Sequence, residues 1–204
     1  MFVDILTDDD RIDRDPRCRA AFDRTWQALE AGATAGSPFN FLQVATINQR
    51  MQPEVRTIVL RRAYRNDGAI YYVTDVRSPK MDDILRHSSH VALAGYDATS
   101  RVQIRMTGIA NTVGDHSELA EHWSKLSEAT RRTFHQPFSP GARMHSDGRL
   151  YDDNEKDDRS PFERFCPVRV ELLTLEHLDI SGAEHVRFCF MRSDRGWLGT
   201  RRAP

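Results

Sequence analysis

The sequence contains no apolar run that approaches the roughly 18 to 20 residues of a membrane-spanning helix. Its first stretch, MFVDILTDDDRIDRD, is acidic and lacks the apolar segment of a leader peptide. An excess of charge of one sign is also missing, since 29 basic residues nearly balance 30 acidic ones. We therefore expect a soluble, cytoplasmic protein with neither a nucleic-acid nor a membrane partner, in which any anion site is local.

Cysteine is scarce as well. Cys18, Cys166 and Cys189 are odd in number and have no CxxC or CxxH spacing, which predicts buried thiols rather than a disulfide framework or a zinc site. His87 and His90 straddle a helix end without a third ligand in register, and the run DDNEKDD lacks the glycine of a calcium loop. No metal site is predicted.

The length fits one domain, residues 1–204, with an N-terminal helix extension over 1–35. Apolar spacing after Pro16 predicts a helix over 16–31, and similar spacing predicts two helices between 115 and 135 that break near Ser127. Short β-rich segments with turn residues between them predict strands at 41–48, 55–62, 69–76, 90–96, 101–113, 166–180, 185–192 and 196–201. The segment 136–164 is either a lid or a plain surface loop. The pattern is typical of a mainly β, antiparallel, Greek-key-like barrel with flanking helices.

Only three of the 29 basic residues are lysines, and one of them, Lys80, closes the stretch VRTIVLRRAYRNDGAIYYVTDVRSPK. Strand alternation predicts two faces for its first segment, with Arg56, Ile58, Leu60 and Arg62 on one and Val55, Thr57, Val59 and Arg61 on the other.

The end of the second strand combines hydroxyls with cations. Thr74, Arg77, Ser78 and Lys80 stand beside a predicted helix start at 79, an arrangement that suits a phosphate dianion. The alternative is a surface bend in which Ser78 caps the helix and Pro79 occupies its first position.

Residues 56–80, the RVQIRMTGIA segment around Gln103, the helix with HW and the terminal RFCFMRSDRGWLGTRRAP follow one another in a characteristic order. In order and spacing they resemble the pyridoxamine 5'-phosphate oxidase-related FMN-binding split β-barrel family, over roughly residues 35–135 and 165–204. The resemblance implies that fold, FMN as cofactor, and a homodimer whose interface holds two FMN molecules.

The resemblance also implies a cofactor site. Arg56 begins the family's R-x-V-L-L-K strand and would reach the FMN phosphate or ribityl chain, and Gln103 and Arg187 would lie beside the flavin ring. Its cofactor-binding residues in this sequence are Arg56, Thr57, Ile58, Val59, Arg61, Val73, Thr74, Ser78, Lys80, Gln103 and Arg187. Arg131 and Arg132 would either add a cation across the dimer interface or be ordinary exposed helix arginines.

The substrate side departs from the family pattern. Leu126 and Ala183 stand where the family has arginines that bind the substrate phosphate, and Leu173 aligns with its tryptophan beside the ring. His122 and His185 are the remaining substrate-binding candidates. The sequence therefore predicts an FMN-binding oxidoreductase that transfers a hydride from a small molecule, with its substrate and its catalytic residues open; the alternative is a non-catalytic split barrel that binds FMN or haem.

Overall fold

The computed structural model describes residues 11–12, 14–151 and 157–204. The predicted extension (1–35) and loop (136–164) thus lie partly outside the described residues. The described chain forms eight strands: β1 (Phe41–Ile47), β2 (Pro53–Tyr64), β3 (Ala69–Asp75), β4 (His90–Asp97), β5 (Val102–Thr112), β6 (Phe165–Asp179), β7 (Val186–Ser193) and β8 (Gly196–Arg202). Its α-helices are α1 (Pro16–Gly32), α2 (Pro79–Asp82), α3 (His116–Ser124), α4 (Glu128–Arg132) and α5 (Pro161–Arg164).

All strand pairs are antiparallel, and their order in the sheet is β3-β2-β1-β4-β5-β6-β7-β8. A further ladder between β3 and β6 closes the first six strands into a barrel. Because β4 returns beside β1 after the β1-β2-β3 meander, the topology is a Greek key. The predicted fold class is confirmed.

Alternation along the strands fills the barrel. Inward positions such as Leu42, Leu60 and Ile104 are fully buried, whereas the positions between them face outwards. Predicted turns connect the strands, and in the β2–β3 turn Gly68 supplies a positive φ of 60°.

Helix α1 begins where the sequence predicts, with Pro16 in the first turn and the Asp15 carboxylate accepting a bond from Arg17 N. Its buried face packs on the β7–β8 hairpin, where Phe22 meets Phe190 edge to face at 5.2 Å and Trp26 meets Trp197 at 6.4 Å. The N-terminal helix is therefore part of the main hydrophobic core.

A second, smaller core lies on the outer side of β3. Leu126, Phe134 and Phe165 are buried there, with Trp123 packed against them, as the helical spacing of α3 and α4 predicts. The two helices separate at Ser127, which caps α4 by accepting from Thr130 N.

The helix that the sequence predicts to start at 79 has an unexpected form. It begins as α2 and continues as a π-helix over Asp83–His87, a local irregularity that is frequent at functional sites. None of the helices in the described part of the chain is both long and apolar enough to cross a membrane.

Candidate functional site

The side chains of Arg56, Thr74, Ser78 and Lys80 gather where β3 ends and α2 begins, and we call this group the β3–α2 corner. Thr74 and Ser78 are buried, with 3.2 Å between their hydroxyl oxygens. Lys80 Nζ donates to Thr74 Oγ1 at 2.9 Å. The sequence prediction that hydroxyls and a cation meet at this strand end describes the geometry correctly.

The Lys80 ammonium sits in a partly desolvated position. Burial and the neighbouring Arg56 charge lower its pKa, while Asp75 and Asp83 act in the opposite direction. Among the described residues no carboxylate forms an ion pair with Lys80. A desolvated cation beside two buried hydroxyls is a favourable partner for a phosphate, whose charge would compensate its own.

Arg56 completes the corner from the start of β2. Its guanidinium donates to Thr46 Oγ1 and to the Glu54 carbonyl (2.9 Å), and lies 3.5 Å from the Asp83 carboxylate. A polar cleft of about 480 Å³ opens beside it and is bordered by Pro79. On the other side of α2, an apolar cleft of about 430 Å³ runs past Val76 and Met81.

The barrel wall is open next to the corner. The ladder between β2 and β3 begins only at the pair Leu60–Tyr72, whereas residues 53–59 of β2 pair with β1. Backbone groups of β2 on the side away from β1 are therefore positioned to bond a ligand that enters the cleft.

Arg77 does not belong to the ligand-binding set, although the sequence suggested it as a second cation. Its side chain is 4% exposed and forms a bidentate ion pair with Asp75, in which Nε and Nη2 donate to the two carboxylate oxygens at 2.9 and 2.6 Å. Its remaining donors bond the carbonyls of Gln136 and Pro137. The arginine thus fastens the following loop to the corner.

The other predicted residues of β2 lie on different faces. Ile58 is in the core, so only its backbone could reach a cofactor, while Thr57 and Val59 point to the outer side. Arg61 is the extra residue of a β-bulge between Leu60 and Arg62. It donates to Thr130 Oγ1 of α4 at 3.3 Å, and burial lowers its pKa.

The bulge corrects the predicted alternation of this strand. Arg62 lies opposite Tyr71, on the outer side, and not on the inner face with Arg56 and Ile58. On β3, Val73 likewise faces the α3–α4 side and packs in the second core, away from its neighbour Thr74.

Gln103 and Arg187 form a separate group. Both pair with Leu178, from either side of β6, and therefore lie about 10 Å apart on the same face. Arg187 Nη2 is 2.6 Å from Glu176 Oε2, and this bond raises the pKa of Arg187.

Within one chain, the β3–α2 corner and the pair Gln103 and Arg187 are far apart. Thr74 pairs with Cys166 at the start of β6, whereas Gln103 pairs with Leu178, and the strand path from 166 to 178 is about 40 Å at ~3.3 Å per residue. Arg56 is two residues before the inward-facing Ile58 and lies on the same, inner side of its strand, whereas Gln103 directly precedes the inward-facing Ile104 and so faces outwards.

The two substrate-binding candidates are also apart. His122 is buried, stacks on Tyr71 with ring centroids 5.4 Å apart, and has its pKa lowered by burial and by Arg62. His185 is exposed just before β7. Arg131 and Arg132 bond within the helical segment, to the carbonyls of Trp123 and Ser124 and to Glu128 respectively.

Two residues of the corner were not predicted from the sequence, namely Thr46 and Asp83. Both are buried and contact Arg56. Thr46 could have been noticed, because it is the polar member of the inward row Leu42, Val44, Thr46 in β1.

Comparison with known proteins begins with a family model. Residues 19–114 match the model described as "Pyridoxamine 5'-phosphate oxidase, FMN-binding domain". The matched segment contains the whole β3–α2 corner and Gln103. Arg187 lies outside it.

Solved structures extend the match over most of the chain. A pyridoxamine 5'-phosphate oxidase-related, FMN-binding protein from Nostoc punctiforme is 25% identical with a TM-score of 0.71, covering 93% of this chain and 98% of its own. PhzG from Burkholderia lata, solved with tetrahydrophenazine-1-carboxylic acid, is 21% identical with a TM-score of 0.66, covering 99% of both chains. The architecture is that of the FMN-binding split β-barrels.

A curated relative points the same way. Pyridoxine/pyridoxamine 5'-phosphate oxidase 2 from Arabidopsis thaliana is 24% identical over 182 residues, which span 84% of this chain and 91% of the relative. The resemblance seen in the sequence is confirmed: the chain is similar in sequence and in fold to proteins of the pyridoxamine 5'-phosphate oxidase-related family.

Proposed function

We propose that this protein is an FMN-dependent oxidoreductase in which the flavin accepts a hydride from a small molecule. The observation that carries the proposal is the β3–α2 corner, where a desolvated lysine, an arginine and two buried hydroxyls converge beside an open cleft. This donor set fits the phosphate of FMN.

Each residue has a role in that proposal. Lys80 and Arg56 neutralise the phosphate, Ser78 and Thr74 orient it through their hydroxyls, and the backbone of β2 bonds the flavin along the open wall. Bound FMN supplies the electron-accepting isoalloxazine ring, so no acid or base from the chain is required for hydride uptake. His185, being exposed, is available to orient a substrate.

The proposal includes a homodimer. Phe41, Val55 and Tyr96 are 59%, 64% and 48% exposed on the outer side of β1, β2 and β4, and we call this surface the outer sheet face. A hollow of about 270 Å³ lies in this face, with Val55 and Arg105 in its lining, and Gln103 lies on β5 opposite Tyr96. A second copy on this face buries the apolar side chains and brings its own Gln103 and Arg187 towards the first copy's corner.

A non-catalytic FMN carrier is the second candidate. It is favoured by the burial of His122 against Tyr71, which leaves that histidine unavailable to a substrate.

The experiment is an absorption spectrum of the purified protein, followed by FMN titration and addition of reduced nicotinamide. If the protein is an oxidoreductase, we expect a flavin absorption band near ~450 nm, one FMN per chain and bleaching of the band by the reduced nicotinamide. A carrier should show the band without bleaching. A Soret band near ~410 nm indicates haem instead. A protein that takes up no FMN overturns both FMN functions.

A further inference from the structure

Thr46 is a buried hydroxyl in a row of apolar side chains. It is fully buried at an inward position of β1, where its neighbours in the row are Leu42 and Val44. A buried polar side chain in such a row is stable only when its hydrogen bonds are made.

Those bonds join three elements of the fold. Thr46 Oγ1 on β1 donates to Asp83 Oδ2 on the π-helix at 2.6 Å, and accepts from Arg56 Nη1 on β2. Because a hydroxyl has a single hydrogen, its donation to Asp83 leaves its lone pairs for the arginine. Asp83 Oδ2 also lies 3.5 Å from Arg56 Nη2, which closes a triangle of side chains.

The triangle determines which edge of the guanidinium is available. Both hydrogens of Arg56 Nη1 are used, one by Thr46 and one by the Glu54 carbonyl. The donors that remain for a ligand are on Nε and Nη2, and their direction is set by the planar fork.

We infer that Thr46 and Asp83 are positioning residues that hold the Arg56 guanidinium in the orientation in which it binds the cofactor phosphate. The inference rests on the proposed function and adds a selection for the phosphorylated flavin. It also explains why a carboxylate is buried beside an anion site: Asp83 would repel a phosphate, and its contribution is to orient the arginine.

The Asp83 carboxylate could affect FMN binding through its charge or through its hold on Arg56, and the two roles predict opposite effects of Asp83→Asn. If the carboxylate acts through its charge alone, its removal strengthens FMN binding; if it positions Arg56, its removal weakens FMN binding. Thr46→Val keeps every charge and the side-chain shape but deletes the hydroxyl, and Thr46→Ser keeps the hydroxyl.

The test is a set of titrations of the full-length apoprotein with FMN and with riboflavin, which lacks the phosphate. We expect Thr46→Val and Asp83→Asn each to lower FMN affinity about tenfold, with riboflavin affinity changed less than about twofold and Thr46→Ser close to the parent protein. In an Arg56→Ala background, Thr46→Val should then have no further effect. FMN binding by Asp83→Asn that is as tight as the parent's, or tighter, overturns the inference, and so do equal losses for FMN and riboflavin.

Crystal structures of the apo forms keep this result separate from the proposed function. The inference predicts that the Arg56 guanidinium turns away from its position in Thr46→Val and keeps it in Thr46→Ser; an unmoved Arg56 in Thr46→Val overturns it. A parent protein that binds FMN no more tightly than riboflavin contradicts the proposed phosphate site, whatever those structures show.

Discussion

Lys80 and Lys125 carry the same charge in different surroundings. Lys80 is half-buried against Thr74 with its pKa lowered by burial and by Arg56, whereas Lys125 is 59% exposed and paired with Glu121 on the surface of α3. A desolvated cation gains far more from an arriving anion than one that water already solvates.

Lys80→Ala is therefore expected to weaken FMN binding by about 10- to 100-fold, as for the loss of one or two bonds to a charged group. Adding Arg56→Ala should raise the loss to at least ~3 kcal/mol with the fold intact. Fluorescence titration with FMN measures both variants. Lys125→Ala is the matched control and should bind like the parent; stoichiometric flavin in the double variant would show that the site is elsewhere.

His177 is a buried titratable residue away from the corner. Thr25 Oγ1 donates to the Ala21 carbonyl at 2.8 Å, so the hydroxyl accepts from His177 Nδ1 at 3.0 Å, which assigns a proton to that nitrogen. Burial lowers the pKa of His177; Arg24 lowers it further, and Asp179 opposes the shift.

The lowered pKa predicts acid sensitivity. The unfolded chain binds a proton at His177 near pH ~6.5, before the folded protein does, so the free energy of unfolding falls as the pH drops through that value. Urea unfolding of His177→Gln between about pH 7.5 and 5.5 should show a smaller slope of the unfolding free energy against pH than the parent. His122, whose pKa burial also lowers, should contribute to the slope that remains. An unchanged slope in His177→Gln contradicts the prediction.

At the scale of elements, two buried arginines fasten the segment after α4 to the rest of the fold. Arg164 is 5% exposed and donates to the carbonyls of Phe134, Gln136 and Asp157. Arg77 reaches Gln136 from the other side. The loop is thereby held at Gln136 and at Asp157.

Arg164→Met leaves three carbonyls without their donor, and we expect a loss of about 2–4 kcal/mol in the free energy of unfolding. Urea denaturation measures the loss, and limited proteolysis should cut within 136–151 faster than in the parent. Arg149→Met is the control, since the Arg149 side chain is 80% exposed and, among the residues that the structure describes, bonds only Asp147 nearby in sequence. A variant as stable as the parent would mean that the carbonyls find other donors.

For the whole molecule, the proposed dimer can be tested on the outer sheet face. Val55→Glu places a charge in the middle of the face that a second copy would bury, so it should convert dimers to monomers and reduce the FMN bound per chain. Light scattering coupled to size-exclusion chromatography gives the mass. Leu85→Glu is the control, because Leu85 is 62% exposed on the π-helix, outside that face. A monomeric parent that binds one FMN per chain would rule out the shared site.

Much of the fold and of the corner could be predicted from the sequence, because these depend on local patterns. Alternating residues and turn chemistry place the eight strands within a few residues of their bounds, and helical spacing places α1, α3 and α4. Thr74, Ser78 and Lys80 are close in sequence, so a single strand end and helix start bring them together.

What depends on long-range packing could not be read in this way. The bulge at Arg61 places Arg62 on the opposite face of the strand from the one that alternation predicts. A bulge depends on how two strands pair, so the sequence of one strand does not reveal it. The contact of Thr46 with Asp83 spans 37 positions and forms only when β1 and the π-helix are packed. The sequence by itself determined the residue types, the strands and the local chemistry of the corner. Tertiary structure decided which polar groups pair: Asp75 binds Arg77, and Asp83 binds Arg56. The reason is that a buried charge must bond a partner, and the closed barrel determines which partner is within reach.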